Sequence, residues 1–176
     1  KTEGIFEYPF SKIKNAGILT SPDKVFRFIN WNIQHQDGTF TYFCFMLVKT
    51  EKGMISFELK DKSETISEPE TQTLDAENWW GALYYEILPV KQKKEMYYLL
   101  LGWDGNNDFS RRKIIEVMTI SRNGKPKFGK NVFKIQGSKN KRIIFEYSYL
   151  TNMTLRYNKL LDMIVFDHLV PPKPSL

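Results

Sequence analysis

Hydrophobic and polar residues alternate with a period of two along most of this chain, the pattern of β-strands that keep one face in water. The alternation is clearest at 54–60, where Ile55, Phe57 and Leu59 are separated by polar residues. Clusters of glycine, asparagine and aspartate interrupt it at roughly 8–12 residue intervals. The sequence therefore predicts an all-β fold: an antiparallel meander of about nine to ten strands forming a sandwich, a barrel or a propeller-like body, with at most short helical turns.

Two hairpins have the strongest local signals. Within 94–120, two apolar runs flank a Gly-Trp-Asp-Gly-Asn-Asn turn, whose residues adopt positive φ or bond their own backbone at little cost. Asp37 and Gly38 predict a second hairpin, between strands at 25–31 and 40–49. The strand at 40–49 is apolar on both faces, which predicts a central position in its sheet.

The rest of the chain fits one domain over residues 1–176. Further strands are predicted at 79–88, 113–120, 128–135, 142–149, 153–157 and 162–167, with a turn at 89–94. Segment 61–77 loses the alternation and collects Ser, Thr, Glu and one proline, so we expect a long, acidic, mobile connection. The prolines at 171–174 cannot continue a sheet, because proline has no N–H to donate.

Composition and charge narrow the class of protein. Aromatic residues make up 15% of the chain, with 13 Phe, 9 Tyr and 4 Trp, which suits strands that pack rings across a sheet. The net charge of +6 is uneven: 51–77 holds 8 acidic and 3 basic residues, and 91–142 holds 14 basic and 4 acidic residues. Such a basic half attracts anionic polymers or surfaces, although exposed lysines usually serve solubility. No RNP or zinc signature accompanies it, so nucleic acid is not expected as a partner.

The cysteine content and the longest apolar run bear on compartment. Cys44 is the single cysteine, so neither an internal disulfide nor a cysteine-based zinc site can form. The longest uncharged apolar run, 40–48, falls far short of the roughly 20 residues that a spanning helix needs, so we expect a chain that does not span the membrane. The first residue is Lys1, which suits removal of an export signal and equally suits a trimmed cytosolic chain.

The tryptophans are the most useful candidates for binding. Trp31, Trp79, Trp80 and Trp103 each offer a flat apolar face and one donor, which suits stacking on sugars or gripping a peptide. Neighbouring residues on a strand face opposite ways, so if Trp79 and Trp80 lie on a strand, one of them faces away from whatever the other packs on. We predict a ligand-binding surface at Trp79, Trp80 and Trp103, with core filling as the alternative for most of them.

A calcium site is a second candidate. Asp104, Asn106 and Asp108 have the Asp-x-Asn-x-Asp spacing that collects oxygen ligands. Phe109 and Ile115 stand where a calcium hand has Gly and Glu, so a turn stabilised by its own side chains is the stronger interpretation. Calcium is the one cofactor the sequence suggests, and a calcium-dependent adhesion module stays open.

The sequence supports a catalytic site less well than a binding surface. The predicted strands carry the acids Glu86, Glu116, Glu146 and Asp167, two of which could form the carboxylate pair of a glycoside hydrolase. His168 follows Asp167, but adjacent strand residues cannot pair directly, and no G-x-S-x-G elbow is present. We assign no catalytic residues. A glycan-acting hydrolase remains the alternative to a binding protein.

The segments Leu-Leu-Leu-Gly-Trp-Asp-Gly-Asn-Asn at 99–107 and Ile-Val-Phe-Asp-His-Leu-Val-Pro at 164–171 resemble a family of uncharacterised exported proteins of Gram-negative envelopes. The resemblance extends from about 20 to 171, with the 19–23 turn and the 153–157 strand. It implies a periplasmic, secreted or cell-envelope location and supplies no catalytic residues. It also implies a further aromatic, glycine-rich stretch beyond 171, so the chain is expected to be either truncated at its C-terminus or ordered only in part.

These observations favour an exported β domain that acts as a non-catalytic binding or accessory module, with Trp79, Trp80 and Trp103 as its contact and an envelope protein or a glycan as its partner.

Overall fold

A computed structural model describes Gly4 and residues 6–168. This part of the chain is all-β, as predicted, with twelve strands, no α-helix and one 3₁₀ turn at Ser63–Thr65. The strands are β1 Gly17–Thr20, β2 Phe26–Gln34, β3 Phe40–Thr50, β4 Gly53–Lys60, β5 Leu74–Asp75, β6 Leu83–Gln92, β7 Glu95–Asp104, β8 Ser110–Ile120, β9 Pro126–Phe128, β10 Ile143–Ser148, β11 Leu155–Asn158 and β12 Met163–Phe166. The sandwich is the predicted alternative that fits the packing of these strands.

The first sheet has the order β1-β2-β3-β4, and every pair in it is antiparallel. The predicted hairpin at Asp37-Gly38 joins β2 to β3, and Gly38 has the positive φ of 80° that this turn requires. β3 lies between β2 and β4, so its predicted central position is confirmed. The strand β1 was not predicted, because its four residues are too few to show a period.

The second sheet has the order β5-β9-β8-β7-β6 and contains the predicted hairpin β7–β8. One edge of β8 is shared by two strands: β10 pairs with residues 110–115 and β9 pairs with residues 118–120. Between these two pairings, the backbone N–H of Gly129 donates to the carbonyl of Val117 at 2.8 Å. The chain thus fills both halves of one edge with separate segments.

The main core lies between the two sheets. It includes the fully buried rings of Phe26, Phe28 and Phe128, together with Met46 and Leu100. A smaller cluster lies on the other face of the second sheet, where Leu101 and Ile115 pack with Leu155 of the predicted last hairpin, β11–β12. The molecule therefore has two full layers and a partial third one.

Two predicted strands had the wrong bounds. β6 begins at Leu83 and continues through Pro89 instead of turning there, because β6 is the edge strand of its sheet and proline needs no ladder donor on an edge. The predicted strand 128–135 ends at Phe128. Gly129 turns the chain with a φ of 85°, and a Cβ there would lie 2.4 Å from the carbonyl oxygen of Gln72.

The acidic segment 61–77 contains the 3₁₀ turn and β5, which its sequence pattern did not predict. It is joined to the body by backbone hydrogen bonds from Lys60 to Ala76 at 2.7 Å and from Lys62 to Trp79 at 2.8 Å. The predicted proline end of the sheet at 171–174 lies outside the described residues.

Candidate functional site

Trp79 and Trp80 are both core residues. Their exposed fractions are 0% and 4%, which is the predicted alternative of core filling, and β6 begins only at Leu83, so the two residues do not lie on the strand that would have turned one of them outward. Trp79 makes only an isolated bridge with Asp61, and strict alternation of faces applies only within a regular strand. The indole N–H of Trp79 donates to the hydroxyl of Tyr84 at 3.0 Å, and the Arg112 guanidinium lies 5.9 Å from the Trp80 ring centre.

Trp103 does not join these two rings in one surface. It lies on β7 between Gly102 and Asp104, and Gly102 faces the main core, so Trp103 faces the other side of the sheet. Its half-buried ring meets the edge of Phe40 with centroids 5.6 Å apart. The three predicted binding residues are thus separated between a core and a sheet face.

The first sheet presents a different aromatic surface. On β2 and β3, the outward positions alternate with the core residues, and those from Ile29 to Ile33 and from Phe43 to Leu47 are themselves apolar. We call this surface the outer aromatic face; it consists of Ile18, Ile29, Trp31, Ile33, Phe43, Phe45 and Leu47. Exposed apolar patches of this kind mark interaction sites in soluble proteins.

Trp31 is at the centre of the outer aromatic face. Its ring stacks on Phe43 with centroids 5.3 Å apart and planes 8° apart, and on Phe45 at 6.0 Å and 28°. Phe45 is 40% exposed, and Ile33, two positions after Trp31 on β2, is 49% exposed. Because Trp31 stacks on Phe43 and on Phe45, part of the ring-face area is covered, and the surface offers a partner mainly ring edges and aliphatic side chains.

The outer aromatic face has polar borders. Glu58 and Lys60 of β4 lie beside Phe45 and Phe43 in the strand register and are exposed. At one end of the face, the Arg27 guanidinium donates to the backbone oxygen of Tyr8 at 2.8 Å. An apolar centre with a polar rim is the arrangement found in protein–protein interfaces.

The sequence contained a signal for this surface. The strand 40–49 is apolar on both faces, a pattern that predicts a central position in a sheet. The position was confirmed. What the pattern also indicated is that an apolar strand in an outer layer exposes one face unless a further layer covers it.

The calcium candidate Asp104 is part of a buried polar network. Its carboxylate accepts the hydroxyl of Tyr42 at 2.8 Å and the backbone N–H of Asn106 at 2.8 Å, and Arg112 lies 3.4 Å away. The N–H of Gly105 donates to the Tyr42 hydroxyl at 2.7 Å. Burial raises the pKa of Asp104, and these hydrogen bonds oppose that shift. The network joins β3 of one sheet to β7 of the other.

The other two calcium candidates point elsewhere. The amide of Asn106 donates to the Ser110 hydroxyl at 2.7 Å, and Asp108 lies against Gly38 in the β2–β3 turn. In the described part of the chain, no group of three or more His, Cys, Asp or Glu side chains could hold a metal ion. The predicted turn role of Asp104 is therefore what its contacts show, and calcium binding stays a prediction.

Glu116, one of the four candidate catalytic acids, is sealed inside the protein. Its carboxylate accepts the Arg142 Nε–H at 2.6 Å and the Val117 N–H at 2.8 Å, and the side chains of the ion pair are 2% and 0% exposed. Burial raises the pKa of Glu116, and the charge of Arg142 opposes that shift. This pair fills the gap where β8 passes from β10 to β9, so it has a structural role.

The other three acids are held in separate places. Glu146 accepts the Ser110 hydroxyl at 2.6 Å and the Arg112 Nε–H at 3.0 Å. Glu86 accepts the N–H of Tyr157, and Asp167 accepts the N–H of Thr154. Arg112 thus links Glu146 to Asp104. None of these contacts links Glu146 to Glu86, Glu116 or Asp167. The hydrolase stays a prediction.

A groove between β6 and the β11–β12 hairpin was not expected from the sequence. Its volume is about 720 Å³, and its lining includes Leu88, Leu99 and Ile164 with Glu86 and Tyr157. The volume falls in the range of small-molecule sites. Its residues come from segments about 70 positions apart, as the 3.1 Å hydrogen bond from the Tyr157 N–H to Glu86 shows.

Comparison with known proteins finds no match: no family model, no curated protein and no solved structure matches this chain. The residues the structure describes include no helix with the length and apolar character required to cross a bilayer.

Proposed function

We propose that this chain is a non-catalytic binding module that holds a protein partner on the outer aromatic face. The observation that carries the proposal is the apolar outward side of β2 and β3, where Phe45 and Ile33 remain 40% and 49% exposed beside a half-buried Trp31. Exposing such a surface costs free energy that a partner recovers by covering it. This proposal keeps the predicted class of binding module but moves its contact away from Trp79, Trp80 and Trp103.

A protein suits this surface better than a glycan. Sugars stack on the open face of an aromatic ring, whereas the Trp31 ring is stacked on Phe43 and on Phe45, which covers one face of each phenylalanine. Aliphatic side chains and ring edges pack well against the apolar side chains of another protein. The charged border formed by Glu58 and Lys60 favours a defined orientation of that partner.

We place the module in the bacterial envelope, either periplasmic or secreted. The support is the resemblance of segments 99–107 and 164–171 to exported envelope proteins. The single thiol, Cys44, is 1% exposed, so it is protected in an oxidising compartment. Fractionation of cells that produce the full protein tests the location, and recovery in the cytosol would contradict it.

Site-specific photocrosslinking tests the interface. The substitution Phe45→benzoylphenylalanine places a reactive ring on the outer aromatic face, and Phe109→benzoylphenylalanine places the same group at an 81% exposed position in the β7–β8 loop. With an envelope extract, we expect a discrete adduct from position 45 only, because only that position lies in the proposed contact.

Competition makes the result specific. Excess unlabelled chain and excess Phe109→Ser chain should both suppress the adduct at position 45, whereas excess Ile33→Asp chain should not, since a charge there disfavours an apolar contact. Equal adducts from both positions, or suppression by the Ile33→Asp chain, would count against the proposal. Quenching of Trp31 fluorescence by soluble glycans, with no protein adduct, would favour the sugar-binding alternative.

A further inference from the structure

One end of the sandwich collects cations from turns that are far apart in sequence. The turns β1–β2, β3–β4, β6–β7 and β8–β9 all lie there, and a cavity of about 190 Å³ is lined by Val25, Thr50, Met96 and Arg122 from all four regions. Gly124 of the β8–β9 turn packs against Ile55 and Thr50 of the first sheet. We call this surface the basic end.

The basic end carries nine cations. They are Lys24, Lys49, Lys52, Lys91, Lys93, Lys94, Arg122, Lys125 and Lys130. All except Lys130 are exposed. Four carboxylates lie in these turns or are bonded to them. Two of the four already form ion pairs with cations of the basic end: Glu7 with Lys24 at 3.2 Å and Glu95 with Lys130 at 2.8 Å.

The opposite end of the molecule carries the other sign. It is formed by the β2–β3 and β7–β8 turns, which meet where Gly38 contacts Asp108, and by the segment after β4. It holds the acids Asp37, Asp61, Glu64, Asp104, Asp108 and Glu146 with the cations Lys62, Arg111 and Arg112. This separation of charge orients the molecule toward an anionic surface.

Two of the lysines occupy positions that suit other residues better. Lys24 and Lys93 have φ values of 55° and 56°, a left-handed conformation that glycine and asparagine adopt more cheaply. Retaining a lysine in a strained turn is the kind of local exception that is concentrated at functional sites.

We infer that the basic end docks the protein on an anionic lipid surface. The connecting residues 21–25, 51–52, 93–94 and 121–125 contain no aromatic ring, so the turns themselves lack the stacking platform that binding of single-stranded nucleic acid requires. Eight of the nine cations are lysines, whose ammonium group is a hydrated point charge. Nucleic-acid recognition favours arginine, whose guanidinium makes two hydrogen bonds at once to a base or a phosphate. Lysines spread over an outward-facing end match the diffuse negative potential of a lipid surface.

The chemistry of the end also predicts how the docking behaves. Among the large apolar side chains that are exposed in the described part of the chain, two lie at or beside this end: Met96 at 44%, and Tyr8 at 56%, which follows the Glu7 that pairs with Lys24. Little apolar area is therefore available for insertion into the lipid. Binding should be electrostatic, reversible and weakened by salt.

Vesicle cosedimentation with matched variants tests the inference. The variant Lys52→Ser/Lys94→Ser/Lys125→Ser removes one charge from each of three turns at the basic end. The control Lys62→Ser/Lys134→Ser/Lys139→Ser removes the same charge from exposed positions outside it. At low salt, we expect binding of the unchanged chain to vesicles of equimolar phosphatidylcholine and phosphatidylglycerol, and none to pure phosphatidylcholine.

The first variant should lose roughly 100-fold in lipid affinity, since each lysine near an anionic surface contributes roughly five-fold. The control variant should lose much less, and both should unfold thermally like the unchanged chain. Equal losses in the two variants would overturn the inference, because net charge alone would then explain binding. Failure to bind at low salt would also overturn it, as would tighter binding to a single-stranded oligonucleotide than to the vesicles.

Discussion

At the scale of single residues, the fold depends on polar groups buried between apolar layers. Arg142 and Glu116 form a fully buried ion pair, and Arg142 also donates to the carbonyl of Gln72 at 3.3 Å. A buried charge is tolerated only beside a partner of opposite charge, because its hydration is lost on burial and only the partner compensates for that loss. The pair gives the most direct test of the structure at this scale.

Arg142→Met should lower the free energy of unfolding by about 3–5 kcal/mol near neutral pH, because it leaves the Glu116 carboxylate buried without its cation. Adding Glu116→Gln should restore most of this loss, since the amide still accepts the N–H of Val117 and carries no charge. Urea denaturation measures both. As a control, Lys130→Met breaks the pair with the 69% exposed Glu95 and should cost less than about 1 kcal/mol.

The same variant should show a defined pH dependence. Burial raises the pKa of Glu116 and Arg142 opposes this, so Arg142→Met raises that pKa further. A carboxyl whose pKa is higher in the folded state than its unfolded value of about 4.3 favours folding fully below that value and loses this contribution as the pH rises through the folded pKa. Arg142→Met should thus be least destabilised in acid. A loss that is constant from acid to neutral pH would contradict the ion-pair role.

At the scale of elements, each hairpin is determined by its own turn, and some turns are strained. β6 and β7 are joined by the two residues Lys93 and Lys94, and Lys93 has a φ of 56°. Positive φ at the first of two turn residues is the geometry that favours glycine there. The strain provides a test of this turn that does not depend on function.

Lys93→Gly should raise the thermal midpoint, by the equivalent of roughly 0.5–1 kcal/mol, because it removes the cost of a left-handed lysine. Lys94→Gly, the matched control, should lower it slightly, since glycine then only adds freedom to the unfolded chain. Differential scanning calorimetry gives both values. The opposite order of the two midpoints would mean that the turn has another geometry.

How far the elements were predictable depends on the range of the interactions that define them. The turns at Asp37-Gly38 and at 102–107 were recognised because a reversal depends on adjacent residues. The end of β9 at Phe128 was missed, since Gly129 turns there to pass Gln72, a residue 57 positions earlier. Pro89 was mistaken for a turn because only the completed sheet shows that β6 is an edge strand.

At the scale of the whole molecule, the β11–β12 hairpin closes one side of the second sheet. Leu155 is 3% exposed and packs with Leu101 and Ile115, whereas Leu160 at the hairpin turn is 97% exposed. If the hairpin unfolds together with the two sheets, damage to its contact weakens the entire domain. The two leucines provide a matched pair for testing this.

Leu155→Ala should cost about 2–5 kcal/mol, because it leaves a cavity between the hairpin and the sheet, and it should lower Tm by roughly 5–15 °C. Leu160→Ala should stay within about 0.5 kcal/mol of the unchanged chain. Thermal unfolding followed by circular dichroism measures both. Similar Tm values for the two variants would show that the hairpin is not part of the cooperative unit.

The sequence alone determined the all-β class, the main hairpins and the central position of β3, because period-two alternation and turn chemistry act between neighbours in the chain. Only the tertiary structure decided that Trp79 and Trp80 are buried, that the outward side of β2 and β3 is exposed, and that lysines between 24 and 130 gather at one end. Alternation separates a strand into two faces, but another layer decides which face meets water, and that layer comes from distant residues.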